Sequence, residues 1–170
     1  MAFSIVQTIW EQFFPQKRLK CPTLIWEEIH RELKKRGQGH RESGGFLLGY
    51  IESNCRHVKA FLPYDEIDPA SLRGHIVFDG SKMDLVWREC KRLKMRVIAD
   101  VHTHPRGYQQ SSIDQENPMI PERGHIALIV PYFAKRIFMP GEIGIYEFLG
   151  GGRWLDHSSR GSKYFSVGRF

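Results

Sequence analysis

Hydrophobic residues recur along this chain with two different periods. Over residues 23–36, Leu24, Ile25, Ile29 and Leu33 fall on one helical face, and Glu27, Glu28 and Glu32 on the other. That spacing predicts a helix, which Gly37 and Gly39 stop. The second half of R-E-S-G-G-F-L-L-G-Y-I and the stretch 57–62 read as two short strands paired with each other. Residues 63–73 hold two prolines and three acidic residues and read as a loop. Residues 75–78 predict a short strand. Ser81 then opens a helix through S-K-M-D, a capping-box-like start with Asp for Glu, and Leu85, Val86 and Leu93 follow helical spacing. The run R-V-I-A-D-V at 96–101 predicts a strand that ends on His102, and 111–116 a short helical turn stopped before Pro118. H-I-A-L-I-V at 125–130 is apolar almost throughout, as a central strand is. Residues 143–149 and 154–155 flank G-G-G-R and predict a closing hairpin.

Together these elements predict one α/β (α+β) domain: a mixed sheet of about six strands flanked by helices. Two segments fall outside it. At the start, Phe3, Val6, Trp10 and Phe13 lie along one helical stripe, so residues 1–20 predict an apolar helix that packs on the domain or docks on a partner. Residues 157–170 are polar and basic and predict a loosely held tail. The domain itself is expected over 21–156.

Composition narrows the class. At 170 residues the chain suits one compact domain and is too short for a TIM barrel, which needs about 200 residues or more. With 41% hydrophobic residues it can bury a sizeable core. The net charge of +6 and a pI near 9.3 permit an anionic partner. The basic residues are spread out, however, with one denser run at Lys34, Lys35 and Arg36, and no aromatic-plus-basic motif supports nucleic-acid binding. Cys21, Cys55 and Cys90 form no disulfide framework or zinc pattern and suit a reducing cytoplasm. The apolar start lacks the basic flank and cleavage site of a signal peptide and is too short to span a bilayer.

The chemistry concentrates in V-H-T-H-P-R-G-Y-Q-Q-S-S-I-D, residues 101–114. In a strand, positions i and i+2 share a face, so His102 and His104 converge beyond the strand end. Two nitrogen donors placed so suit one zinc ion, which in a catalytic site takes a third protein ligand and a water. Asp114 is the nearest good third ligand, across a loop long enough to fold back. Ser111 precedes it by three residues and shares its face on one helical turn, where its hydroxyl can stabilise an oxyanion. A general base beside the metal is also needed, and spacing alone does not choose it among 19 acidic residues. Glu42 is attractive because Ser43, Gly44 and Gly45 after it allow close backbone approach. His30, His40, His57, His75, His125 and His157 lack partners at ligand spacing and read as surface or satisfied core residues.

At these residues the chain resembles a known family. H-T-H-P followed by S-S-I-D resembles the JAMM signature of JAB/MPN-domain zinc proteases, and E-S-G-G-F-L-L-G resembles that family's upstream motif. The likeness runs over roughly residues 23–156. It implies the JAB/MPN-like, cytidine-deaminase-like fold for that domain. It also implies one Zn2+ with a bound water on His102, His104 and Asp114, Glu42 as the base, and Ser111 as the oxyanion donor. The resemblance alone singles out Glu42. One departure is a loop of six residues between His104 and the serine, where the family pattern has seven. Ser112 restores the count but moves the aspartate position onto Gln115, so Ser111 is kept with Ser112 as fallback. The chain is similar to minimal bacterial versions of the family. These trim or remove ubiquitin-like modifiers in antiphage conjugation operons or sulfur-carrier pathways. The implied partners are a ubiquitin-like protein or its conjugate, and the pathway's activating and conjugating enzymes, with no membrane. Since some members have lost the ligands, an inactive zinc-containing module that scaffolds a conjugation complex is the alternative.

Overall fold

The computed structural model describes residues 18–170. The apolar segment expected at the start lies, apart from residues 18–20, outside the described residues. Eight strands form one sheet: β1 (Leu19–Pro22), β2 (Gly44–Glu52), β3 (Cys55–Pro63), β4 (Arg96–Thr103), β5 (Ile126–Val130), β6 (Gly144–Gly150), β7 (Arg153–Asp156) and β8 (Phe165–Gly168), in the order β7-β6-β5-β4-β2-β3-β1-β8. The sheet is mixed. β2 runs antiparallel to β3 and β4, and β4 parallel to β5. β6 runs antiparallel to β5 and β7, and β1 is parallel to both β3 and β8.

Strand alternation divides the interior in two. Along β2, Leu47 joins one apolar cluster while Phe46 and Leu48 join the other, because neighbouring side chains point to opposite faces. Helix α1 (Thr23–Gly37) covers the first face with Trp26, Ile29 and Leu33. Its buried stripe is turned from the expected one: Trp26 faces inward, while Leu24 is 78% exposed. His30 on the same stripe pairs Nδ1 with the Trp26 carbonyl at 3.0 Å and accepts the Phe138 N–H at Nε2, 3.1 Å away. Burial, opposed by the bond to Trp26, lowers its pKa to about 4, so it packs as a neutral ring. Helix α2 is a single turn (Tyr64–Ile67). Helix α3 (Met83–Leu93) covers the second face with Val86 and Cys90. A 3-10 turn precedes α3, and Asp79, rather than Ser81, caps that turn by accepting the Ser81 N–H at 2.9 Å. A last short helix, α4 (Ser112–Glu116), precedes β5.

Three further sequence expectations change. Residues 75–78 are not a strand: Ile76 makes only an isolated bridge to Leu72, with no neighbouring strand to extend it. Among the described residues the sheet has eight strands, not about six, because β1 and β8 are four-residue elements whose alternation, L-K-C-P and F-S-V-G, is too short to announce them. Residues 157–170 are no loose tail. Tyr164 and Phe165 are fully buried in the first core, and β8 pairs with β1 along all four residues. Phe165 meets Trp26 edge-on at 5.0 Å between ring centroids. Replacing it with alanine is expected to cost about 3–5 kcal/mol in chemical denaturation. A cost below about 1 kcal/mol would return the segment to a peripheral role.

No helix among the described residues is long and apolar enough to cross a membrane.

Candidate metal centre

β4 brings two of the three donors. Ala99 and Val101 point into the first core, so Asp100 and His102 turn to the opposite face, and His104 follows two residues on. Both imidazoles are buried and face each other, Nε2 to Nε2, at 3.2 Å. Asp114 closes the triangle, with Oδ1 3.3 Å from His102 Nε2 and Oδ2 3.2 Å from His104 Nε2. Bonds of about 2.0–2.1 Å to one ion place the corners of a tetrahedron roughly 3.3–3.4 Å apart. The His102–His104 edge fits that figure, each histidine nitrogen has one Asp114 oxygen at a similar spacing, and the three residues can hold a metal ion.

Electrostatics ties the group together. Burial pulls the His102 pKa down, but contacts with Asp100 and Asp114 outweigh it and lift it to about 10. Burial raises Asp114, yet His102, His104 and Ser111 hold its carboxyl well below the usual range. Metal and proton therefore compete for the same nitrogen.

A second layer of buried polar groups stands behind His102. Asp100 Oδ1 is 2.6 Å from His125 Nε2, and Oδ2 accepts the Tyr64 hydroxyl at 3.0 Å. That oxygen lies 3.8 Å from His102 Nδ1, too far for a hydrogen bond but within ion-pair reach. Despite burial, the histidine contacts hold Asp100 at about 2. A carboxylate on this side favours the Nδ1–H tautomer and leaves the Nε2 lone pair for a metal. Asp100→Asn is expected to weaken metal binding about ten- to a hundredfold, read with added zinc by competition with a chromophoric chelator. Unchanged affinity would remove Asp100 from metal support. Sequence reasoning missed this layer. The one signal was an aspartate inside the apolar run R-V-I-A-D-V, on the same strand face as His102.

Asp114 is held by a capping box. Ser111 donates its backbone N–H and its hydroxyl to Asp114 Oδ2, each at 2.7 Å, and the Asp114 N–H returns a bond to Ser111 Oγ at 3.2 Å. The element is then clamped from outside. Trp154 Nε1 donates to the Gln115 carbonyl at 3.1 Å, and the Tyr146 hydroxyl to the Tyr108 carbonyl at 3.1 Å. Ser111, not Ser112, lines the cavity at the donors.

His104 is fixed through its backbone. Its N–H donates to the Val130 carbonyl, and its own carbonyl accepts the Phe133 N–H, each at 2.9 Å. Phe133 lies in a run of three left-handed residues, Tyr132, Phe133 and Ala134, with φ of 54°, 52° and 52°. Left-handed backbone disfavours any side chain, so it persists only where its surroundings hold it.

Glu42 approaches from the start of β2. Its N–H donates to the Gly74 carbonyl at 2.9 Å, and the buried Ser43 beside it accepts the Thr103 N–H at 2.8 Å. Glu42 is half-buried and lines the same cavity as His102, Ser111 and Asp114. The structure thus gathers four of the five sequence-predicted residues around one cavity, with His104 across the donor triangle. His30 and His157 are satisfied by hydrogen bonds elsewhere, and His125 by Asp100 in the layer behind His102.

No family model matches the chain. The architecture has a solved counterpart in the solution structure of protein DSY2949 from Desulfitobacterium hafniense. The two share 14% sequence identity at a TM-score of 0.64, over 89% of this chain and 94% of that one. At that identity the likeness shows a common fold and nothing about activity.

Proposed function

We propose that the chain is a zinc-dependent peptidase or isopeptidase of the JAMM type. Its substrate on this reading is a ubiquitin-like modifier, cut after its C-terminus in a bacterial conjugation pathway. The observation that carries this is the His102–His104–Asp114 triangle with Glu42 on the wall of the same cavity. Zinc, when bound there, supplies Lewis acidity toward a carbonyl and makes a water easier to deprotonate.

The chain's own residues do the rest. Glu42 takes the proton from the attacking water and returns it to the departing nitrogen. Ser111 keeps its backbone bond to Asp114 while its hydroxyl can turn toward the oxygen that gains charge. Asp100 holds His102 in its donor orientation. Ile76, Val77 and Phe78 line the cavity outside the sheet, so an extended substrate chain can lie against them and use their backbone.

The test is to incubate the purified protein with ubiquitin-like fusions, with and without a chelator. Cleavage at the junction, lost on chelation and restored by zinc, is expected. Cleavage that survives chelation overturns the mechanism, and a chain that binds zinc but cleaves no fusion supports a scaffold role instead.

A further inference from the structure

The cavity at the metal donors is far larger than the chemistry needs. It measures about 570 Å3, whereas one water takes about 30 Å3. Its polar lining includes His102, Ser111, Asp114 and Glu42, and its apolar lining Ile76, Phe78, Met83 and Met119. The same four side chains are only partly buried members of the second core, packed against Phe46, Tyr64 and Val86. The second core therefore does not close over itself. It opens into the cavity and presents apolar surface to whatever occupies it. At the rim stand Val77 and Ile113, 53% and 52% exposed, from elements on either side.

Charge narrows the occupant. Among the described residues no lysine or arginine lines this cavity, in a chain of net charge +6, while Glu42, Asp100 and Asp114 do. Beyond the metal donors, a phosphate or carboxylate placed there would find no lysine or arginine to pair with. Two methionines in the wall are deformable and accept branched or aromatic shapes alike. A glycine at this point of a substrate would leave the apolar wall against water.

We propose that the cavity is a specificity pocket for a bulky apolar side chain, of leucine, methionine or phenylalanine type, that the substrate carries next to the scissile bond. The inference rests on the metal reading of the site, since that reading places the scissile bond at the metal donors that line the cavity. A modifier ending in small residues alone is then a poor substrate, and one with a large apolar residue at the junction a good one.

Simple hydroxamates test this without knowing the substrate. Their chelating head anchors on the metal and aims the attached group into the cavity. Three probes differing only in that group (methyl, isobutyl and carboxyethyl) are titrated calorimetrically into the zinc-loaded full chain. The isobutyl probe is expected to bind at least about tenfold tighter than the methyl probe, and the carboxyethyl probe no tighter than methyl. In Met119→Lys, and independently in the exposed-rim variant Ile113→Asp, the isobutyl-to-methyl ratio is expected to fall toward one. Equal binding of isobutyl and methyl to the wild type overturns the proposal, and so does a preference for carboxyethyl. A chain that takes up no zinc overturns the metal reading and the pocket with it. Zinc uptake with no isobutyl preference removes the pocket alone.

Discussion

On the proposed peptidase reading, the Glu42→Gln protein is expected to bind one zinc as the wild type does, and to cleave a ubiquitin-like fusion about a hundred- to ten-thousandfold more slowly. Glutamine keeps the length and shape of the side chain but cannot accept the proton from water. Zinc binding should survive because the donor triangle is built from His102, His104 and Asp114 without Glu42. The backbone should survive too, because the bond that fixes this residue runs from its N–H to the Gly74 carbonyl. Metal analysis and single-turnover cleavage on the same preparation separate the possibilities. Undiminished cleavage places the base elsewhere, and loss of zinc makes Glu42 a ligand.

Gly44→Ala is expected to cost about 1–3 kcal/mol of stability and to reduce zinc affinity at least about tenfold, a loss of about 1.4 kcal/mol. An added Cβ would stand 2.6 Å from Tyr64 Cε2, 2.7 Å from the Val101 carbonyl oxygen and 2.9 Å from His102 Cβ. None of the three is the tip of a flexible side chain. Gly44 faces His102 directly in the β2–β4 register, so relief requires the strands to part or His102 to turn. Either movement shifts His102 Nε2 away from His104 Nε2 and the Asp114 carboxylate, which now stand 3.2–3.3 Å from it or from each other. Gly141→Ala is the control, since a Cβ there meets nothing within 4 Å. Thermal melting of the metal-free protein and chelator competition give the two readouts. Wild-type zinc affinity in Gly44→Ala would show that the β2–β4 contact does not set the donor geometry.

The pair His102 and His104 was legible in the sequence because strand period alone puts i and i+2 on one side. Ser111 and Asp114 were legible because a capping box is local, spanning four residues. Glu42 was not legible from spacing. Its nearness to the donors comes from strand pairing across sixty residues (102 − 42), and only family resemblance singled it out. The layer of Tyr64, Asp100 and His125 is non-local in the same way. Strand β8 was hidden for another reason: its four residues pair edge to edge with β1, and their burial depends on Trp26 far away in sequence. The stretch 75–78 erred in the opposite direction. Its residues suit a strand, but the fold supplies no partner for them, and they wall the cavity instead.

The left-handed run at Tyr132–Ala134 bears on how this protein can drift. Glycine, asparagine or aspartate at position 132 would relax the backbone, while the Phe133 amide that grips His104 belongs to every residue except proline. Selection for heat resistance alone should therefore enrich those residues at 132. Proline at 133 should be purged by any selection that depends on His104. A library sequenced after each regime would separate the two pressures within one turn of the chain.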